Sequence, residues 1–97
     1  MRERRIKNIE DTKRYYAEQI KWHDDRIDWC SKMIKHYGEE IKYYKNLPIN
    51  DIEYKEDRIK YNKNMRAKIY KMRSNWREQK EMLIVYRNEI LSRIEEA

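Results

Sequence analysis

The 97-residue chain carries 24 Lys and Arg against 18 Asp and Glu, a net charge of +6, and 43% of its residues are charged. With one Gly and one Pro, the chain has few of the turn-forming residues that sheets and tight turns need, so we expect helix almost throughout. One Gly also excludes a glycine-rich nucleotide-binding loop. The single cysteine, Cys30, excludes an internal disulfide. We therefore predict an all-α fold.

The first predicted helix is defined by a heptad ladder from Ile6 to Tyr44. Its a positions are all Ile except Lys13. Its d positions are Ile9, Tyr16, His23, Cys30, Tyr37 and Tyr44. A 3–4 alternation sustained over the whole segment predicts a helix that packs along a seam. Gly38 lies within the ladder in register, so we expect the helix to continue through it.

A short turn separates the first helix from a second one. Pro48 keeps the residue before it out of the helical conformation, and Asn46 can adopt the left-handed conformation that ends helices. Asn50 followed by Glu53 suits a capping box in which Asn replaces Ser or Thr. The predicted hairpin is a single domain of residues 1–97, with helices at about 2–45 and 51–95 and a turn at 46–50. So short a connection makes the helices antiparallel, with residue i of the first near residue 97 − i of the second.

The second helix has an apolar seam of its own, which we predict to face the first helix. Its residues are Met65, Ile69, Met72, Trp76, Gln79, Leu83, Tyr86, Ile90 and Ala97. Further apolar residues lie outside both seams, and soluble monomers rarely expose large contiguous apolar patches. We therefore predict that the coiled-coil-like hairpin dimerises into a four-helix bundle. The predicted dimer-interface residues are Tyr15, Trp22, Trp29, Met82, Ile84, Leu91 and Ile94. A monomer with exposed aromatic residues is the alternative.

The net positive charge is concentrated in the middle of the second helix. Residues 55–80 contain ten basic and three acidic residues, and no Asp or Glu occurs from Arg58 to Arg77. Six residues of this region fall on one helical stripe: Lys63, Arg66, Tyr70, Arg73, Arg77 and Lys80. Basic stripes of this kind are typical of surfaces that bind phosphates. We predict a non-enzymatic dimer that binds a polyanion, DNA or RNA, through these residues.

Other functions are compatible with the same stripe. It could dock the acidic surface of a protein, which would make the chain an adaptor or inhibitor, or the hairpin could be a structural coiled-coil spacer. Part of the stripe could instead pair with Asp24, Asp25 and Asp28 of the first helix. Among nucleic-acid binders, a small basic helical chain fits an architectural factor of a nucleoid, of replication, or of a virus or mobile element.

The sequence offers no catalytic arrangement, so we expect no enzyme, cofactor or small-molecule substrate. Cys30 and His23 lie two helical turns apart on the same seam, about 10 Å, too far for a nucleophile and its base. His36 and Glu40 have metal-compatible spacing, but two ligands are too few for a metal site. The longest apolar run, Met82–Tyr86, is far shorter than the roughly 20 residues of a membrane span. We expect an intracellular protein without membrane association, cytoplasmic or nucleoid-associated.

Overall fold

The computed structural model describes residues 2–96, which form two α-helices joined by a short loop. Helix α1 is Arg2–Asn46 and helix α2 is Ile52–Glu96, each of 45 residues. No strand occurs within this described part of the chain. The predicted all-α hairpin of two long helices is confirmed, and α1 continues through Gly38. Ala97, which we predicted to be in the α2 seam, lies outside the described residues.

The loop reverses the chain at Pro48. The Ile49 amide donates to the Leu47 carbonyl at 2.9 Å, an i→i+2 bond that defines a γ-turn centred on Pro48. The fixed φ of proline is close to the value this turn requires. No residue among 2–96 has a positive φ. The left-handed conformation predicted for Asn46 is therefore wrong, because Asn46 ends α1 in a helical conformation and the proline makes the turn.

Asp51, not Asn50, caps the N-terminus of α2. Its Oδ1 accepts a hydrogen bond from the Tyr54 amide at 3.0 Å, and its carbonyl accepts one from the Lys55 amide at 3.2 Å. The predicted capping box is wrong by one residue, since the third residue after the cap is Tyr54 and not Glu53. Both Asn and Asp make good caps, but a carboxylate adds a favourable charge at the positive end of the helix.

The contacts between α1 and α2 divide the hairpin into two units. Residues up to Arg26 together with those from Trp76 onward form one, which we call the terminal unit. Ile27–Asn75 form the other, the loop unit. Each unit has its own small core.

His23 is the centre of the terminal unit's core and is only 8% exposed. Its ring meets the rings of Trp22 and Trp76 edge-on, with centroids 5.1 and 5.5 Å away. Its Nδ1 lies 2.7 Å from the Gln19 carbonyl, so this nitrogen carries the proton and donates it. The buried imidazole is thus a satisfied core group, as its d position in the heptad predicts.

In the loop unit the core consists of Cys30, Ile41, Asn62 and Ile69, all at most 5% exposed. Burial raises the pKa of the Cys30 thiol, so the sulfur is uncharged at neutral pH. Asn62 was not predicted to be buried. It satisfies its amide within α2, where Nδ2 donates to the Arg58 carbonyl at 2.8 Å.

The α2 seam differs from the predicted one. Met72 and Tyr86 are 41% and 47% exposed, and Gln79 is also exposed. Half-buried basic residues face α1 instead, at Arg66, Arg73 and Lys80. Long basic side chains can cover apolar surface with their aliphatic stems. A seam defined by apolar residues alone omits such positions. The predicted seam was therefore displaced around α2, away from these basic residues.

The same side chains explain a difference in register. The predicted pairing places Lys80 opposite residue 17, but Lys80 contacts Asp24. Trp76, predicted opposite residue 21, contacts Trp22, only one position away. The backbone register is therefore close to the prediction. Lys80 leans toward the N-terminus of α2, and so toward higher-numbered residues of α1, because helical side chains point toward the N-terminus of their own helix.

Gly38 can be tested by substitution. A Cβ built at this position lies 3.8 Å from Arg66 Nη1, an ordinary contact with the far end of a flexible side chain. Because glycine in a helix interior costs about 0.5–1 kcal/mol relative to alanine, we expect Gly38→Ala to raise the free energy of unfolding by that amount. Urea unfolding measures the change, and Ala17→Gly on exposed α1 surface is the matched control with the opposite sign. A destabilised Gly38→Ala would contradict the open surroundings of this residue.

Candidate nucleic-acid interface

The six residues of the predicted basic stripe separate into two rows of α2. The half-buried row is Arg66, Arg73 and Lys80. The exposed row is Lys63, Tyr70 and Arg77. Residues seven apart lie on nearly the same side of a helix, so the first row lies toward α1 and the second away from it. The stripe is not one free surface.

Two residues of the half-buried row, Arg73 and Lys80, are bonded to α1. Arg73 Nη1 donates to Ser31 Oγ at 3.1 Å in the loop unit. In the terminal unit Lys80 Nζ lies 2.6 Å from Asp24 Oδ1, with 31% of the lysine side chain and 48% of the aspartate side chain exposed. Ion pairs this exposed contribute at most about 1 kcal/mol. These groups chiefly orient the helices, and they are partly withdrawn from any external ligand.

The aspartates of α1 leave most of the basic segment unneutralised. Of the three that could pair with it, Asp24 contacts Lys80, while Asp28 pairs with Lys32 on its own helix at 3.3 Å. Asp25 takes part in no ion pair within residues 2–96. Among the described residues, the only ion pair across the helices is the one at Lys80, and no basic residue of α2 between 58 and 77 pairs with a carboxylate of α1.

Four exposed lysines of the loop unit form what we call the lysine face: Lys60, Lys63, Lys68 and Lys71. At about 100° per residue they occupy an arc of roughly 140° on the side of α2 away from buried Ile69. None of them takes part in an ion pair within the described part of the chain. Lys60, Lys68 and Lys71 were not among the predicted site residues, because the predicted α2 seam was placed too near them. Taking Ile69 as the centre of the seam would have found them.

A tyrosine cluster lies near the loop end of the same unit, and we define it as Tyr44, Tyr54 and Tyr61. The Arg58 guanidinium lies over the rings of Tyr44 and Tyr61, 5.5 and 5.3 Å from their centroids. The Tyr44 and Tyr54 rings meet edge-on at 6.2 Å. Tyr54 and Tyr61 are nevertheless 47% and 50% exposed. The cluster thus presents two aromatic rings whose positions are set by packing underneath.

Tyr44 also shifts the pKa values of its two neighbours in the cluster. A side-chain hydrogen bond with Tyr44 raises the pKa of Arg58 and raises the pKa of Tyr54. Both shifts favour the states that these groups already have at physiological pH, a cation for Arg58 and a neutral phenol for Tyr54. Arg58 Nε is buried without a hydrogen-bond partner among residues 2–96. Attraction between the cation and the ring faces helps to offset the cost of that burial.

The residues predicted at a dimer interface do not form one face. Tyr15, Trp22, Trp29 and Met82 are exposed. Ile84, Leu91 and Ile94 are half-buried. Met82 and Ile84 are about 160° apart around α2, so one flat contact cannot cover both. The exposed neighbours of Met82 are Val85 and Tyr86, each about half exposed.

Neither helix, over residues 2–96, contains a stretch long and apolar enough to cross a membrane. Within the same residues, no three side chains of His, Cys, Asp or Glu come close enough together to hold a metal ion. No protein-family model, curated protein or solved structure matches the chain. The lysine face and the exposed aromatic residues are the features of the described surface that indicate a ligand.

Proposed function

We propose that the protein is a non-enzymatic nucleic-acid-binding protein that holds a phosphate backbone on its lysine face. The observation that carries the proposal is the set of four exposed lysines that make no ion pair within residues 2–96, in a segment free of acidic residues from Arg58 to Arg77. Lysines in this state bind phosphates and release the counterions condensed on a nucleic acid, which supplies the binding free energy. Because phosphates are common to all nucleotides, a face of this kind binds a nucleic acid of any nucleotide sequence.

The dimensions of the lysine face suit a short piece of backbone. Lys60 and Lys71 are eleven residues apart, or about 16 Å along the helix. That length corresponds to roughly five phosphates of one strand at the 3.4 Å rise of a stacked duplex, and to fewer in an extended single strand. Arg73 and Lys80 add to the positive potential, but their bonds to α1 make them weaker candidates for direct contact.

Self-association is the second part of the proposal. Trp22, Met82, Val85 and Tyr86 of the terminal unit are 45–52% exposed, and Trp29 of the loop unit is 48% exposed. We propose that two hairpins cover such residues by associating as a four-helix bundle. A dimer would carry two lysine faces, which raises avidity wherever both reach one ligand. Such a protein would work where nucleic acid is found, inside the cell, in the cytoplasm or at a nucleoid.

Neutralising the lysine face should weaken binding selectively. We expect Lys60→Gln/Lys68→Gln/Lys71→Gln to lower the slope of log affinity against log salt by about 2–3 and to weaken binding at low salt about 10- to 100-fold. Fluorescence anisotropy with a labelled oligonucleotide measures both. The matched control is Lys35→Gln/Lys42→Gln/Lys45→Gln, which removes the same charge from exposed positions of α1 in the same unit. Equal weakening by the two triple variants would contradict a defined site, and full competition by polyglutamate would favour an acidic protein partner.

The dimer is tested by placing a charge on the exposed apolar surface. Sedimentation at about 50 μM should give a dimer for the wild type, because association depends on concentration. Met82→Glu should raise the dissociation constant at least about tenfold, since the carboxylate would be buried without a partner. Asn88→Glu, exposed on another side of α2, should leave it unchanged. A monomeric wild type would contradict the four-helix bundle.

A further inference from the structure

We propose that the tyrosine cluster is a base-stacking platform and that the ligand of the lysine face is single-stranded nucleic acid. This inference depends on the proposed function, because it specifies the class of nucleic acid that the same unit binds. It is carried by the juxtaposition, on one stretch of α2, of exposed tyrosine rings with the unpaired lysines.

The rings follow the same side of α2 as part of the lysine face. Tyr54, Tyr61 and Lys68 are spaced by seven residues, so they lie on nearly one line, about 10 Å apart. Lys60 directly precedes Tyr61, and all four are exposed. A strand whose phosphates contact Lys60 and Lys68 therefore passes beside the Tyr61 ring, which lies in line with Lys68 and next to Lys60 in the sequence, within reach of its bases.

The platform is already ordered without a ligand. The Arg58 guanidinium lies over the Tyr61 ring, 5.3 Å from its centroid, and the Tyr44 ring meets the Tyr54 ring edge-on. About half of each exposed tyrosine remains open to solvent. A ring fixed in this way loses little conformational freedom when a base stacks on it, which favours binding. Exposed aromatic rings beside basic residues are how proteins bind single strands with little sequence preference.

A duplex makes poor use of this surface. Its bases are paired and stacked on each other inside the double helix, so only phosphates, sugars and groove edges reach a protein. Rings about 10 Å apart also cannot insert between neighbouring bases of a regular stack. An unpaired strand can instead turn individual bases outward onto the rings. The lysines alone suit either ligand, and the tyrosine rings select the single strand.

The test compares strands with and without bases. Anisotropy titrations would use a thymidine 20-mer, an abasic strand of equal length and charge, and a duplex. We expect the wild type to bind the thymidine strand about tenfold more tightly than the abasic one, given the usual contribution of one stacked base. The ratio should fall to about one in Tyr54→Leu/Tyr61→Leu and should persist in Tyr54→Phe/Tyr61→Phe, which keeps the rings. Circular dichroism checks that both variants remain helical, and a uridine 20-mer tells whether the preference also holds for RNA.

The outcomes separate this inference from the proposed function. Equal affinity for the thymidine and abasic strands, or tighter binding to the duplex, would overturn the stacking platform. The lysine triple variant would still weaken binding in that case, so the polyanion function would stand. Failure of the protein to bind any of the three ligands would overturn both.

Discussion

The contact between two antiparallel helices is the constraint from which the rest of the structure follows. Within a single hairpin each helix has one neighbour, so each can bury only one side there. The buried positions are correspondingly few: His23 in the terminal unit, and Cys30, Ile41, Asn62 and Ile69 in the loop unit. A core this narrow includes polar groups, and each of them is hydrogen-bonded within its own helix. The aliphatic stems of arginine and lysine cover part of what the small core leaves open.

This constraint sorts the charges of α2 into two classes. Basic side chains on the side of α1 find partners there, as Arg73 does in Ser31 and Lys80 in Asp24. Those on the opposite side face no helix of the same hairpin, and Lys60, Lys63, Lys68 and Lys71 make no ion pair within residues 2–96. The same reasoning applies to the aromatic residues. Those at the seam pack against the partner helix, while Tyr54 and Tyr61 present half of their surface to solvent. The proposed site thus consists of residues of the second class, those that do not contact the other helix.

The heptad periodicity and the distribution of Gly and Pro predicted most of the fold. The heptad ladder of α1, the scarcity of Gly and the position of Pro48 were sufficient for two helices and the loop between them. Local chemistry was less decisive. Asn50 and Asp51 are both capping residues, and pattern alone could not choose between them. The choice depends on which backbone carbonyl starts the helix, and that is a matter of loop geometry.

The candidate site was predicted only in part, for a reason that lies in the side chains. The sequence located the basic segment. The spacing of residues along a helix does not show, however, which side of that helix packs against the other one. Arg66 and Arg73 read as surface residues because they are charged, whereas their length lets them lie against α1. Lys60, Lys68 and Lys71 were not predicted to form one face, because the sequence alone does not show that the side of Ile69 is the buried side. The role of Arg58 between two tyrosine rings depends on contacts across the hairpin, which no spacing within one helix predicts.

Lysine acetylation read out by mass spectrometry, with and without a single-stranded 20-mer, tests this division of the charges most directly. In the free protein, Lys80 should react more slowly than Lys60, Lys68 and Lys71, because it is held by Asp24 and only 31% of its side chain is exposed. The strand should then protect the three lysines of the lysine face and leave Lys35 and Lys42 of α1 unchanged. If Lys80 reacts as fast as the others, or if the strand protects the lysines of both helices equally, the division between paired and free charges does not hold.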